Sequence, residues 1–594
     1  MMRRAATYFF ALLLLETQAS HAGGTVSNCT EQDLRNALNG GGTVTFSNDC
    51  SITLSGTIAI GAGTTTIDAA GHNVSISGGN AVRLFNVSGN LALLGLTLTG
   101  GQTNTGGALY VNVGANVVAS NCTFAGNSAP GTNGIAGVNG SNNPGGSGGN
   151  GTSGTPGTAG FGGAIYNLGN LTLLACAVST NSASGGNGGA GGNGGNGANN
   201  GGRGGNGGAG AAGYGGAVYN QGALIASQCT FAGNSATGGG GAAAGTGGTG
   251  LFSGVAGSGG AGAVGTGGAI YSAQPITITN CTFFGNSAQG GNSSAAGTGS
   301  SGSGNNGPSG ADGAGGAVST AGGALTNCTF NNNTATGGGG GNGGNGSNNG
   351  GNGGNGGNGF GGSLLNSGTI SVVNCTFSSG GATGGTNGAA GSGTFSGSPG
   401  NPGISGGGDV AGVSGTFRLM NSILATNLSG GNGYGSITDA GYNLSSDGSL
   451  AFGVKSMVNT DPKLGALALN GGLTATMALQ PGSPAINQVP LASSPATDQR
   501  GVPRGQNGLA CIGAYEVAPS VLVAPTITTT PVVSNRFGFS FLTVSGLTYT
   551  VQYKSALTAT NWTPLPPSVG TGRILTNLDP LTNGPSRFYR IKVQ

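Results

Sequence analysis

The chain has 594 residues, of which 138 are glycine and 21 proline, so glycine stands at about three times its usual ~7% share. Charged residues make up 5% and the formal net charge is +3, which excludes a nucleic-acid binder working by phosphate neutralisation. From Leu84 to Phe417 the charged side chains are Arg203, Asp312 and Asp409, with no histidine, whereas acid–base catalysis and metal binding need such groups in clusters.

Arg3 and Arg4 precede an apolar run from Tyr8 to Leu15, and Ser20-His21-Ala22 places small residues before a cleavage point. This predicts a secretory signal over 1–22 and an extracellular or cell-surface destination. No later stretch reaches the roughly 18 apolar residues of a membrane-spanning helix, so no transmembrane segment is expected. Thr30 to Leu38 follows as a short helix, with Thr30 as N-cap, Asp33 near the third position, and Leu34 and Leu38 on one face. It is expected to cover the open end of what comes next, because exposed strand edges invite pairing.

What comes next is a repeat. GGA(I/V) recurs at Gly162, Gly215, Gly267 and Gly315, with GGAL at Gly106 and GGSL at Gly361. Downstream of each lies one cysteine: Cys122, Cys176, Cys229, Cys281, Cys328 or Cys375. A Phe-x-x-Asn follows at Phe124–Asn127, Phe231–Asn234, Phe283–Asn286 and Phe330–Asn333. Within a unit the apolar residues alternate as in strands, and the phase slips by one at Asn280 and Asn374. A one-residue slip flips the inward face unless the chain turns there, and Asn tolerates the left-handed conformation of a tight corner. Each unit therefore reads as strand, Asn corner, strand, second Asn corner, glycine corner. Repeats of this kind bury their apolar faces by stacking, which gives one coil of a parallel β-helix with Asn side chains bonded along the stack.

These GGA(I/V) and FxxN repeats resemble those of polymorphic outer membrane proteins and other right-handed parallel β-helix proteins of the pectin-lyase-like class. The resemblance implies a right-handed helix, and a bacterial source, with the helix and its N-terminal cap spanning 23–430.

Nine cysteines in an exported chain suggest disulfides. Cys29 and Cys50 flank the capping helix and form the candidate bridge; closing such a loop is worth roughly 3 kcal/mol. The six ladder cysteines share the inward place that Ser422 takes in the next coil. Free buried thiols, disulfides between adjacent coils, and a metal column are the three readings, and packing suits small thiols best. Cys511 falls outside both groups.

Five inserts leave the coil at one corner: 130–161, 184–214, 237–266, 289–314 and 336–360. Several follow a GGX period, as in Gly185-Gly186-Asn187-Gly188-Gly189, which is the three-residue period of a polyproline-II-type helix. Two readings stand, flexible loops or a packed polyglycine fin. Their composition also resembles that of other glycine-rich bacterial surface proteins.

Beyond the helix, 431–517 contains Asn459-Thr460-Asp461-Pro462, Asn470-Gly471-Gly472-Leu473-Thr474, Pro481-Gly482-Ser483-Pro484, Thr497-Asp498-Gln499-Arg500-Gly501 and Ile512-Gly513-Ala514-Tyr515-Glu516. These motifs, in this order, resemble the choice-of-anchor Q domain, which implies a place at the end of a surface β-helix and no activity. Residues 518–531 read as a linker. Residues 532–594 read as a small β-sandwich with strands Phe537–Thr543, Tyr549–Lys554 and Arg587–Val593, and Trp562 as core anchor.

Two functions fit. One is a non-enzymatic secreted or cell-surface protein, structural or adhesin-like, that meets cell-surface glycan or matrix and needs no cofactor. The other is a polysaccharide lyase or glycoside hydrolase, since the pectin-lyase-like fold hosts many. Asn459-Thr460-Asp461 and Arg590-Ile591-Lys592 resemble pieces of the polygalacturonase signature, but they sit in different domains and read as chance matches. Asp68 and His72 are the close acid–histidine pair of the first coils, read as a corner and a surface residue. Glycosidases need two carboxylates across the substrate, so no catalytic, cofactor or metal residues are assigned.

Overall fold

The computed structural model describes residues 23–298, 302–505, 508–517, 528–533, 536–543, 548–570, 574–580 and 587–593. The expected signal 1–22 and most of the expected linker lie outside them. Two compact units are present, Met1–Val517 and Ala518–Gln594.

The first unit is a parallel β-helix. Its strands form parallel sheets of 18, 11, six and six strands that run along the stack. The coil that starts at Gly215 shows the plan. Strands Val218–Asn220 and Ala223–Ser227 belong to the 18-stranded sheet, Thr230–Ala232 to the 11-stranded sheet and Ser235–Thr237 to a six-stranded sheet. In-register pairing places Phe231 against Phe283, then Phe330, then Phe377. Their rings stack at 4.6–4.8 Å within 11° of parallel, and all four are fully buried.

The corners follow from backbone chemistry. Asn121, Asn280, Asn327, Asn374 and Asn421 hold φ of 50–55°, and Ala175 and Gln228 hold it in the two coils without Asn. At the second corner the expectation needs refinement. Gly126, Thr180, Gly233, Gly285 and Asn332 carry the positive φ, each one residue before the Asn of the motif. That Asn is turned inward instead. Asn127, Asn181, Asn234, Asn286 and Asn333 are fully buried; each of the first four passes an Nδ2 hydrogen bond to the Oδ1 of the next at 2.9–3.0 Å, and Asn333 Nδ2 donates to the Phe283 carbonyl. A buried amide is tolerated because it is satisfied.

One α-helix, α1 (Glu31–Leu38), caps the first coils; the Thr30 side chain accepts from the Asp33 N–H and Leu34 is buried. Cys29 and Cys50 are bonded to each other. The six ladder cysteines and Cys511 are free and buried.

Residues 459–517 lie against the outer face of the 11-stranded sheet. Gln499 Nε2 donates to Thr282 Oγ1 at 2.9 Å and its Oε1 accepts from Thr329 Oγ1 at 2.6 Å. The Ala514 N–H donates to Thr376 Oγ1 at 3.0 Å. Arg504 sits among the carbonyls of Cys511 and Gly513, Asn327 Oδ1 and the Glu516 carboxylate.

The second unit has two antiparallel sheets whose shared core is Phe539, Phe541, Tyr549 and Val551. Its strands Arg536–Leu542, Thr548–Lys554 and Phe588–Val593 fall within a residue of expectation. The strand Thr528–Val533 begins inside the expected linker. Trp562 is not the core anchor: it is partly exposed, with Lys554 Nζ 4.8 Å and the Arg590 guanidinium 4.4 Å from its ring.

Candidate functional site

The glycine-rich inserts are not loops. They are hairpins of extended legs whose hydrogen bonds recur every third residue, which is the polyproline-II-type period. Among the described residues they are also six in number. A hairpin at 384–404 joins those at 131–159, 185–212, 238–264, 290–312 and 337–358, each running between two of the short strands. The sixth bonds to the fifth through Gly340 N–H to Thr386 O and Gly353 N–H to Ser398 O, both 2.8 Å.

The second hairpin shows how the legs pack. Gly185, Gly188, Gly191 and Gly194 donate forward to the carbonyls of Thr237, Gly240, Ala243 and Thr246 at 2.8–3.0 Å. Gly186, Gly189, Gly192 and Gly195 donate back to Thr158, Thr155, Thr152 and Gly149 of the first hairpin at 2.8–2.9 Å. The third N–H of the triplet is taken by a side chain: Asn187, Asn193 and Asn196 donate to Oδ1 of Asn133, Asn139 and Asn142 at 2.7–2.9 Å. Their own Oδ1 atoms accept from Gly240, Thr246 and Thr249 in the third hairpin. The GGN triplet thus satisfies three donors in three directions.

Close approach explains the glycines. A β-carbon on Gly186, Gly188 or Gly189 would lie 1.9, 1.9 or 2.1 Å from a backbone carbonyl oxygen. At the third place the demand disappears, since on Gly240 the nearest atom would be 3.5 Å away. The result is a two-layered fin whose faces carry mainly Asn, Ser, Thr and Ala, with Leu251, Phe252 and Phe395 exposed and Arg203 and Asp312 as the charged residues within its hairpins.

The other sequence candidates have settled places. His72 faces Asp49, with Nδ1 to Oδ1 at 3.6 Å, and not Asp68, which caps the Ala70 N–H at 2.8 Å. Hydrogen bonds from Asn73 hold the Asp49 carboxyl below its ordinary range. Asp461 accepts from the Lys463 N–H, and Asn459-Thr460-Asp461 and Arg590-Ile591-Lys592 belong to different units. Cys176 Sγ and Cys229 Sγ donate to the carbonyls of Leu174 and Ser227 at 3.4 and 3.3 Å. Burial, reinforced by Cys176, pushes the Cys122 thiol up to about 12. Among the described residues no group of three or more His, Cys, Asp or Glu side chains could hold a metal ion.

A column of tyrosines on the outer face was not singled out in the sequence, although each follows a GGA motif. Tyr110, Tyr166, Tyr219 and Tyr271 stack at 5.0–5.3 Å within 17° of parallel, with Arg83 over the first ring at 4.9 Å. Ring lies on ring, so the column presents edges and hydroxyls rather than the open faces on which a sugar ring stacks. A groove of about 640 Å³ lies between α1 and the strand Ile58–Ile60. The charged residue lining it, Arg35, is held by Glu31 and the Gly56 carbonyl. No helix among the described residues is long and apolar enough to cross a membrane. No family model matches this chain, and no curated protein matches it.

Proposed function

We propose that the chain is a non-enzymatic exported protein, structural or adhesin-like, whose β-helix serves as the mount for the fin, and that the fin meets cell-surface glycan or matrix. The observation that carries this reading is the order of the fin. Six hairpins that composition alone would leave as flexible coil are held by recurring hydrogen bonds into one plate faced with small polar side chains. Amides and hydroxyls without charge suit broad, salt-tolerant contact with neutral polymers. The packed helix interior supplies a rigid base, and residues 459–517 lie along one of its outer faces.

The test compares the full chain with a variant in which all six hairpins are replaced by short Gly-Ser turns. Retention of each on polysaccharide matrices and on cell surfaces is measured beside β-sheet circular dichroism. The trimmed chain is expected to keep its circular dichroism and lose retention. Equal retention would refute the proposal, as would release of unsaturated products or reducing ends from uronate polymers by the intact chain.

A further inference from the structure

Inner hairpins use both flanks of each leg, whereas the first and last hairpins each have one flank without a neighbour. A fin edge, like a sheet edge, is a row of unmet donors and acceptors onto which another chain can add. Both edges of this fin carry residues that block such addition.

On the first hairpin, Thr132, Ile135 and Val138 occupy the places of Gly186, Gly189 and Gly192 in the second. Their N–H groups, which in the second hairpin reach the previous return leg, are instead taken at 2.7 Å by Thr158, Thr155 and Thr152 Oγ1 of the same hairpin. Thr152 and Thr155 stand where the second hairpin has Gly205 and Gly208. A β-carbon there would meet a carbonyl oxygen at 1.9 or 2.1 Å, so threonine fits the outermost hairpin and no inner one. Ile135 and Val138 project from this end, 75% and 71% exposed.

The last hairpin uses a different device. In the fifth, Gly353 and Gly356 send N–H groups forward to Ser398 O and Asn401 O, both at 2.8 Å. Asn352 and Asn355 Oδ1 accept from Ser398 and Asn401 N–H, which fixes the register of the sixth. One rung on, the places of Gly353 and Gly356 hold Pro399 and Pro402. Proline has no N–H, and its fixed φ suits an extended leg. Two of the donors that would seat the return leg of a seventh hairpin are deleted there.

We propose that the hairpins 131–159 and 384–404 are caps, which hold the fin at six hairpins and prevent it from adding a glycine-rich hairpin of a second copy of this chain. The two ends differ, so such addition would be head-to-tail and open-ended. The fin would then be the seed of a fibre.

Sedimentation velocity over a concentration series tests this on the full chain. One variant opens the first end (T132G/I135G/V138G/T152G/T155G/T158G), a second opens the last (P399G/P402G), and a third opens both. The wild type is expected to sediment as a monomer, and the doubly opened chain to shift toward dimers and longer species as concentration rises. A doubly opened chain that keeps its β-sheet circular dichroism and remains monomeric overturns the proposal. If the doubly opened chain loses that signal, a mixture of the two singly opened chains decides: the opened last hairpin of one then meets the opened first hairpin of the other, and a mixture that stays monomeric throughout the series overturns the proposal. Cross-links joining 131–159 of one wild-type copy to 384–404 of another overturn it as well.

Discussion

Gly189→Ala should damage the fin, whereas Gly240→Ala should not, although both replace a glycine in a glycine-rich stretch. At Gly189 the new methyl group would lie 2.1 Å from the Ile135 carbonyl oxygen and 2.3 Å from its carbon. Relief requires the first and second hairpins to separate by about an ångström, because ordinary contact begins near 3.5 Å. The bonds across that boundary are Gly186 N–H to Thr158 O, Gly189 N–H to Thr155 O and Gly192 N–H to Thr152 O, at 2.8–2.9 Å. Losing two or three bonds at about 1 kcal/mol each, less the ~0.4–1 kcal/mol that alanine gains by restricting the unfolded chain, leaves a net cost of about 1–2.5 kcal/mol. At Gly240 the nearest atoms lie 3.5 Å away, so the unfolded-chain effect acts alone and stability should rise by a few tenths of a kcal/mol or more. Hydrogen exchange of peptides covering 185–212 reads local opening directly. Exchange there should speed by roughly 5- to 70-fold for Gly189→Ala, the same free energy expressed as a ratio, and stay level or slow for Gly240→Ala. Equal responses at the two sites would refute the triplet geometry.

Four further predictions concern the helix and the residues docked on it. In denaturant without reductant, thiol titration should count seven free thiols, six ladder cysteines and Cys511, while the native chain resists alkylation at neutral pH. Because the Cys122 thiol is raised from 9.0 to about 12, its contribution is complete below pH 9 and is lost as pH climbs toward 12, so thermal stability should fall across that window. Asp409 is fully buried, its Oδ2 has no hydrogen-bond partner, and burial raises its carboxyl well above its ordinary range, with Asp447 adding repulsion. Its contribution is complete in acid and declines as pH rises through that raised value; Asp409→Asn should remove the decline and unfold later than wild type at neutral pH, an outcome read from melting curves at several pH values. Arg504→Ala strands the buried Glu516 carboxylate, which should cost about 3–5 kcal/mol and expose 459–517 to limited proteolysis before the helix itself is cut.

The coils were readable because their corners are local chemistry. Asn280 and Asn374 announce a left-handed turn by interrupting a period-two pattern, and GGA marks the third corner. Two coils turn on Ala175 and Gln228, where neighbours impose the conformation and no residue type announces it. The sixth hairpin escaped because its closing motif is Gly407-Gly408-Asp409 rather than GGA, and because caps need fewer glycines. The correspondence of Ser422 with the ladder cysteines held the clue to that extra coil. Whether the inserts were ordered could not be read from one insert alone, since every third N–H finds its partner in the adjacent hairpin. The docking of 459–517 likewise depends on pairs such as Thr282 with Gln499, distant in sequence and individually ordinary.

The Asn–Gly pairs of the fin bear on how the protein ages. Asparagine before glycine is the pair most prone to cyclise and deamidate, because the small following residue lets its backbone nitrogen reach the side-chain carbonyl carbon. In the fin that nitrogen is occupied: Gly188, Gly194 and Gly197 donate to Gly240, Thr246 and Thr249 at 2.8–3.0 Å. The Asn187, Asn193 and Asn196 side chains are pinned by their own ladder bonds. Folding therefore shields a chemically fragile sequence. Isoaspartate at Asn187, Asn193 and Asn196 should accumulate only in molecules whose fin has opened, so its level at those sites in old protein would serve as a clock for past unfolding.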